Sequence, residues 1–133
     1  MTALFAEPAP DDLVVLDVRR ADGSATIVAT GEIDSSSAPQ FRQTLEGLLH
    51  EPGMTEIVVD LGGVTFLDSA GLCVLAAAHR QIKGRGVQLR VLASSRAVIR
   101  PLQITGLWEL LRVEQGAAST NVAASIAPIP VQS

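Results

Sequence analysis

Ile57-Val58-Val59-Asp60-Leu61 is followed by Asp68-Ser69-Ala70-Gly71-Leu72, which opens an uninterrupted helical stretch reaching Lys83. An apolar strand, a connection and a helix make one βα unit, and the repetition of such units decides the fold class. The unit also puts one serine at a helix entrance. Unpaired backbone N–H groups and the positive end of the macrodipole lie there, so a phosphate on Ser69 is tolerable without unfolding the domain. Serine is equally among the commonest N-caps, and local chemistry alone favours that plain role over signalling. If Asp68 is itself the cap, Ser69 is free to face outward in the first turn. Gly71 is unexpected so early in a helix, where it costs about 0.5–1 kcal/mol relative to alanine. Its presence implies that something approaches the backbone closely.

Working outward toward the N-terminus, Leu13 to Arg19 and Thr26 to Gly31 are Val/Ile-bearing runs separated by Ala21-Asp22-Gly23-Ser24, a strong hairpin signal. Asp34-Ser35-Ser36-Ser37 supplies several N-cap candidates, and Pro39 suits a first turn. Phe41, Leu45, Leu48 and Leu49 then share one face of a helix that ends near Pro52-Gly53. Toward the C-terminus, Gly84-Arg85-Gly86 punctuates the chain before a strand over Val87 to Leu92. Ser94-Ser95 introduces a helix from Arg96 to Thr105, in which Pro101 invites a kink or a split. After Gly106, the apolar run Leu110 to Val113 suits a last strand.

This alternation predicts an α/β fold: a mixed, mostly parallel sheet of about five strands that opens with an antiparallel hairpin, with three to four helices and right-handed crossovers. The domain is expected over residues 13–116. Residues 1–12 are expected as an N-terminal extension, and residues 117–133 as a frayed helix followed by a flexible tail. In open α/β sheets, sites gather at the carboxyl edge of the parallel strands. Gly31 to Ser36, Val64 to Leu72 and Ser94-Ser95 are thereby expected on one surface, with Asp34, Asp68 and Ser69 as near neighbours.

Composition narrows the function. At 133 residues the chain is about one domain long. Apolar residues make up 47% and charged residues 18%, and one Trp and three Phe are its only aromatics, so the core is built from Val, Ile, Leu and Ala. A net charge of -4 has the wrong sign for nucleic acid or an anionic bilayer, and aromatic stacking platforms are absent. Neither kind of partner is expected. The single cysteine, Cys73, forbids an intrachain disulfide and is expected in the core. Without a signal-peptide pattern or a stretch long enough to span a bilayer, the chain is expected to be soluble and cytoplasmic.

Catalysis finds little support. Nucleophilic chemistry at Ser69 requires a base within reach, yet His79 stands ten residues along the same helix, about 15 Å away, and His50 ends another helix. The serine is also not framed as Gly-x-Ser-x-Gly. No His or Cys cluster completes a metal site, and Gly62-Gly63 and Gly84-Arg85-Gly86 lack the residues of a phosphate loop and are read as turns. Asp34 and Asp68 fit the charged rim of a docking surface better than a general acid and base pair. No cofactor is expected.

Gly31-Glu32-Ile33-Asp34, Asp60-Leu61, Val64-Thr65-Phe66-Leu67-Asp68-Ser69-Ala70-Gly71-Leu72 and Gly106-Leu107 together resemble the anti-sigma factor antagonists, single-domain members of the STAS family, over roughly residues 13 to 115. The resemblance implies a non-enzymatic partner switch. The unmodified protein binds an anti-sigma factor, usually also a serine kinase, and a sigma factor is released; phosphorylation of Ser69 ends the interaction and a phosphoserine phosphatase restores it. Asp34, Ser35, Ser36, Asp68, Ala70, Gly71 and Leu72 are the expected partner-binding residues. The departure is Ala70, where relatives often carry a second Ser or Thr, which leaves Ser69 as the sole hydroxyl of the motif. The rival readings are a STAS scaffold or lipid-transport accessory whose serine is never phosphorylated, and a nucleotide-binding regulator.

Overall fold

The computed structural model describes residues 14–116, so the expected N-terminal extension and the expected C-terminal frayed helix and tail lie outside the described residues. Nine elements follow in order: β1 (Val14–Ala21), β2 (Ser24–Ile33), α1 (Ala38–Leu49), β3 (Glu56–Leu67), α2 (Ser69–Ile82), β4 (Gln88–Ala93), α3 (Arg96–Ile104), α4 (Leu107–Leu110) and β5 (Glu114–Gln115). The five strands lie in sequence order in one sheet. β1 and β2 are antiparallel, joined through Ala21↔Ser24 with Gly23 at φ 73°, as the Asp-Gly signal required. The remaining pairs are parallel. The mixed α/β sheet with an opening hairpin is therefore the architecture the sequence predicts.

α1 buries Ala38, Phe41, Leu45, Leu48 and Leu49, the face that its periodicity marks out. α2 buries Gly71, Leu72, Val74, Leu75 and Ala78. Between them and the sheet lie Ile27, Ile57, Val59 and Leu61, all without solvent contact, in a core that is almost wholly aliphatic. Burying each such side chain contributes about 1.5–3 kcal/mol before the cost of ordering it. α3 runs unbroken through Pro101 and buries Val98 and Leu102, so neither the kink nor the split divides it into two elements.

Three expectations are corrected. Gly62-Gly63 is not a turn, because β3 continues through it to Leu67, six residues beyond the expected end. β3 pairs as Val28↔Asp60 and Thr30↔Gly63, then Gly31↔Val64 and Glu32↔Phe66, and so carries one extra residue at each of two bulges. A Cβ at Gly63 would lie 3.1 Å from Thr30 Oγ1 and 3.3 Å from the Ala29 carbonyl oxygen, so the glycine serves a close approach of strands rather than a reversal. The run Leu110 to Val113 is not a strand either. Leu110 and Leu111 donate to the carbonyls of Gly106 and Leu107, closing the short helix α4, while Leu111 and Val113 turn into the core and pairing with β4 waits for Glu114 and Gln115. A four-residue apolar run fits either state, and here local helical bonds win. Finally, Cys73 is exposed, because the buried stripe of α2 uses residues 71, 72, 74, 75 and 78 and leaves position 73 outside it.

Candidate functional site

β2 and β3 end side by side, with Ile33 paired to Leu67, and both inward-facing side chains are buried. The chain then turns from each strand into a helix. The Asp68 N–H donates to the Ile33 carbonyl at 3.2 Å, which ties the second turn to the end of the first strand. Asp34 and Asp68 are each the first residue past that pair, so the sheet brings the two loops together as the topology predicts.

At the second turn, Asp68 has extended backbone, φ -105° and ψ -170°, and its Oδ1 accepts from Ala70 N–H at 2.9 Å and Gly71 N–H at 3.4 Å. It is the N-cap of α2. Its carbonyl accepts from Leu72 N–H at 3.1 Å, starting the helical ladder. Ser69 therefore has no capping duty and its side chain is exposed. Of the two readings that sequence chemistry leaves open, the structure selects the cap at Asp68.

The first turn is held differently. Asp34 Oδ1 accepts from the N–H groups of Ser36 at 2.8 Å and Ser37 at 3.2 Å, while its carbonyl accepts from Ala38 N–H at 2.7 Å. Ser37 is buried; its hydroxyl donates to the Glu32 carbonyl at 2.8 Å and accepts from the Asp34 N–H at 3.0 Å. The Asp34 carboxylate is thus engaged in shaping its own loop, and Ser35 and Ser36 are left exposed at the surface. Behind this edge, Ser94 Oγ and Ser95 Oγ donate to the carbonyls of Gly62 at 3.3 Å and Val64 at 3.1 Å, satisfying backbone groups of β3 beyond its pairing with β4.

Of the expected partner-binding residues, Asp34, Ser35 and Ser36 follow the end of β2 and Asp68 and Ala70 flank Ser69 at the paired end of β3, so they lie at one edge of the sheet. Gly71 and Leu72 are buried, so they shape the surface from beneath rather than present side chains to it. A Cβ on Gly71 would stand 2.4 Å from Leu67 Cδ1 and 2.8 Å from Ile33 Cγ2, which identifies the close approach that the early glycine signals. One residue of the edge escapes a reading based on polar motifs: Phe66 is 47% exposed, two residues before Asp68 and opposite Glu32. Its signal is the break in alternation between buried Val64 and Leu67. Among the described residues no group of three or more His, Cys, Asp or Glu is placed to hold a metal, and no helix is long and apolar enough to cross a membrane. An accessible hydroxyl held at the mouth of a preformed helix can accept a phosphoryl group and can be covered by another protein.

The family model described as "Mlab, STAS domain" matches residues 16–112. The chain is similar to the anti-sigma-F factor antagonist RsfB of Mycobacterium tuberculosis, 34% identical over 105 residues, 79% of this chain and 84% of that protein. It is also similar to the anti-sigma-B factor antagonist of Bacillus subtilis, 30% identical over 98 residues, 74% of this chain and 88% of that one. Among solved structures, an anti-sigma factor antagonist from Mycobacterium paratuberculosis matches with a TM-score of 0.74 at 29% identity, covering 84% of this chain and 94% of its own.

Proposed function

This chain belongs to the STAS domain family, and from that premise we propose that it is an anti-sigma factor antagonist: unphosphorylated, it binds an anti-sigma factor that is also a serine kinase, and a sigma factor is set free. The kinase transfers the γ-phosphoryl group of ATP to Ser69 Oγ, ADP leaves, and the complex is lost. A phosphoserine phosphatase resets the switch by hydrolysis. Ser69 is the phosphoacceptor, and Ser35, Ser36, Ala70 and the rims of Asp34 and Asp68 form the contact surface.

The observation that carries this reading is the division of labour between Asp68, which caps α2, and Ser69, which is exposed beside it. A hydroxyl with no structural duty can be esterified with little change to the fold. Phosphorylation adds a charge of about -1.5 to -2. Like charges brought together in an interface cost several kcal/mol. A penalty of about 3 kcal/mol weakens binding on the order of a hundredfold, enough for a switch. The nearby helix N-terminus meanwhile favours the phosphate within its own chain, so the modification acts on the complex and not on the domain.

The test is a binding titration of the cognate anti-sigma kinase against wild type, Ser69→Ala and Ser69→Asp, with mass spectrometry of wild type after incubation with kinase and ATP. Wild type and Ser69→Ala should bind, Ser69→Asp should not, and one phosphate should appear on Ser69. Equal binding by all three proteins, or no phosphate on Ser69, refutes the reading and leaves a STAS scaffold in its place.

A further inference from the structure

α1 and α2 lie side by side, and their buried faces leave a groove between them that opens beside Ser69. Its volume is about 410 Å³. Ser35 and Ala70 stand at the mouth, Ala38 and Ala77 form low walls, and Arg42 and Arg80 line it farther down. Both arginines are exposed, and neither guanidinium has an ion pair or side-chain hydrogen bond among the described residues. No carboxylate lines the groove. Glu46, one helical turn beyond Arg42, instead accepts from Gln81 Nε2 at 3.2 Å and so bridges the two helices. A small-walled channel thus starts beside the switch residue and carries two cations, Arg42 and Arg80, that no side chain among the described residues pairs.

We propose that this groove receives an acidic segment of the anti-sigma factor, an inference that rests on the function proposed above and adds what the docking face recognises. Charge complementarity names the occupant. Two arginines left unpaired in a groove without a carboxylate attract negative charge and steer its approach. Alanine walls let a helix or extended segment of the partner come close before its side chains meet obstruction. The same assignment accounts for the sign of the switch, since a dianion on Ser69 repels only a partner whose facing surface is itself negative. From Ala70 to Arg80 the channel runs about 15 Å along α2, enough for two to three helical turns of a partner.

The groove can be tested independently of Ser69 by titrating the anti-sigma kinase of the same genome against wild type, Arg42→Glu/Arg80→Glu and Arg42→Lys/Arg80→Lys at low and high salt. The charge-reversed protein should bind at least about tenfold more weakly and lose most of the salt dependence, while the lysine pair should stay within a few-fold of wild type. Cys73, exposed on the groove wall, gives a second readout: the bound kinase should slow its alkylation by iodoacetamide about tenfold or more. If wild type binds and the reversed variant binds equally well, or if Cys73 reacts at the same rate in the complex, the groove assignment is overturned while the phosphoswitch stands. If wild type does not bind, both fall.

Discussion

A Cβ added to Gly71 would stand 2.8 Å from Ile33 Cγ2, closer than non-bonded carbon atoms approach, so the first turn of α2 rests directly on the last residue of β2. Leu67 Cδ1 is nearer still, at 2.4 Å, but it is the end of a flexible side chain; Ile33 is fully buried and, being β-branched, is stiff at χ1 and yields less readily. Gly71→Ala sets a modest gain in helix propensity against overpacking of about 1–3 kcal/mol. Overpacking should win, with a net loss of about 1–2 kcal/mol in urea unfolding. Because the displaced backbone carries Ser69, the rate of phosphorylation by the kinase should fall as well.

Asp68→Ala removes the side chain that accepts from the Ala70 and Gly71 N–H groups and should cost about 1 kcal/mol, within the usual 0.5–2 kcal/mol for a lost N-cap. Asp68→Asn keeps an acceptor at the same place and should retain most of the stability. Chemical denaturation of the two variants side by side checks this. Equal losses would mean that the carboxylate's charge, and not its cap, matters.

Ser69 variants should separate stability from binding. Ser69→Ala and Ser69→Asp should both unfold within about 0.5 kcal/mol of wild type, since an exposed side chain without a structural partner is removed. Ser69→Asp should gain slightly, because a carboxylate in the first turn suits the macrodipole. Thermal melts read this directly, and a loss of several degrees in either variant would show that the hydroxyl has a structural role.

The last strand is pinned by charge. Arg90 Nε and Nη2 donate to Glu114 Oε2 and Oε1 at 3.0 and 2.8 Å, and a longer contact of 3.7 Å joins Arg90 to Glu56. The hydrogen bond from Arg90 holds the Glu114 carboxyl below its usual range, burial opposes this in part, and the coulombic attraction adds to the lowering. A lowered carboxyl contributes stability that is present above its ordinary value and disappears as pH falls through the lowered one. The pair is nearly half exposed, so its contribution is only about 0.2–1 kcal/mol. Arg90→Gln should therefore reduce stability by that amount at neutral pH and by less in acid, where wild type has lost the same interaction. Unfolding curves at neutral and strongly acidic pH check the difference.

Much of this arrangement was legible in the residues. Asp22-Gly23 required the hairpin and the spacing of Phe41, Leu45, Leu48 and Leu49 defined the face of α1, because both rest on local geometry; Gly71 announced a close neighbour through its helix cost but could not name Ile33. What escaped was decided by partners far along the chain. Gly62-Gly63 reads as a turn until β2 is placed against it, and the length of β3 follows from two bulges that only the pairing reveals. Leu110 to Val113 is too short for period to choose between helix and strand. Cys73 belongs to an apolar helix, yet its exposure depends on which stripe the sheet claims. Arg42 and Arg80 are thirty-eight positions apart, and nothing in either neighbourhood says that they share a groove.

Asp68 closes the helix, and its neighbour is thereby released from the demands of folding. Position 69 can then carry a different side chain, or a modified one, at little cost to the architecture beneath it, because the helix draws its first bonds from the residue before it.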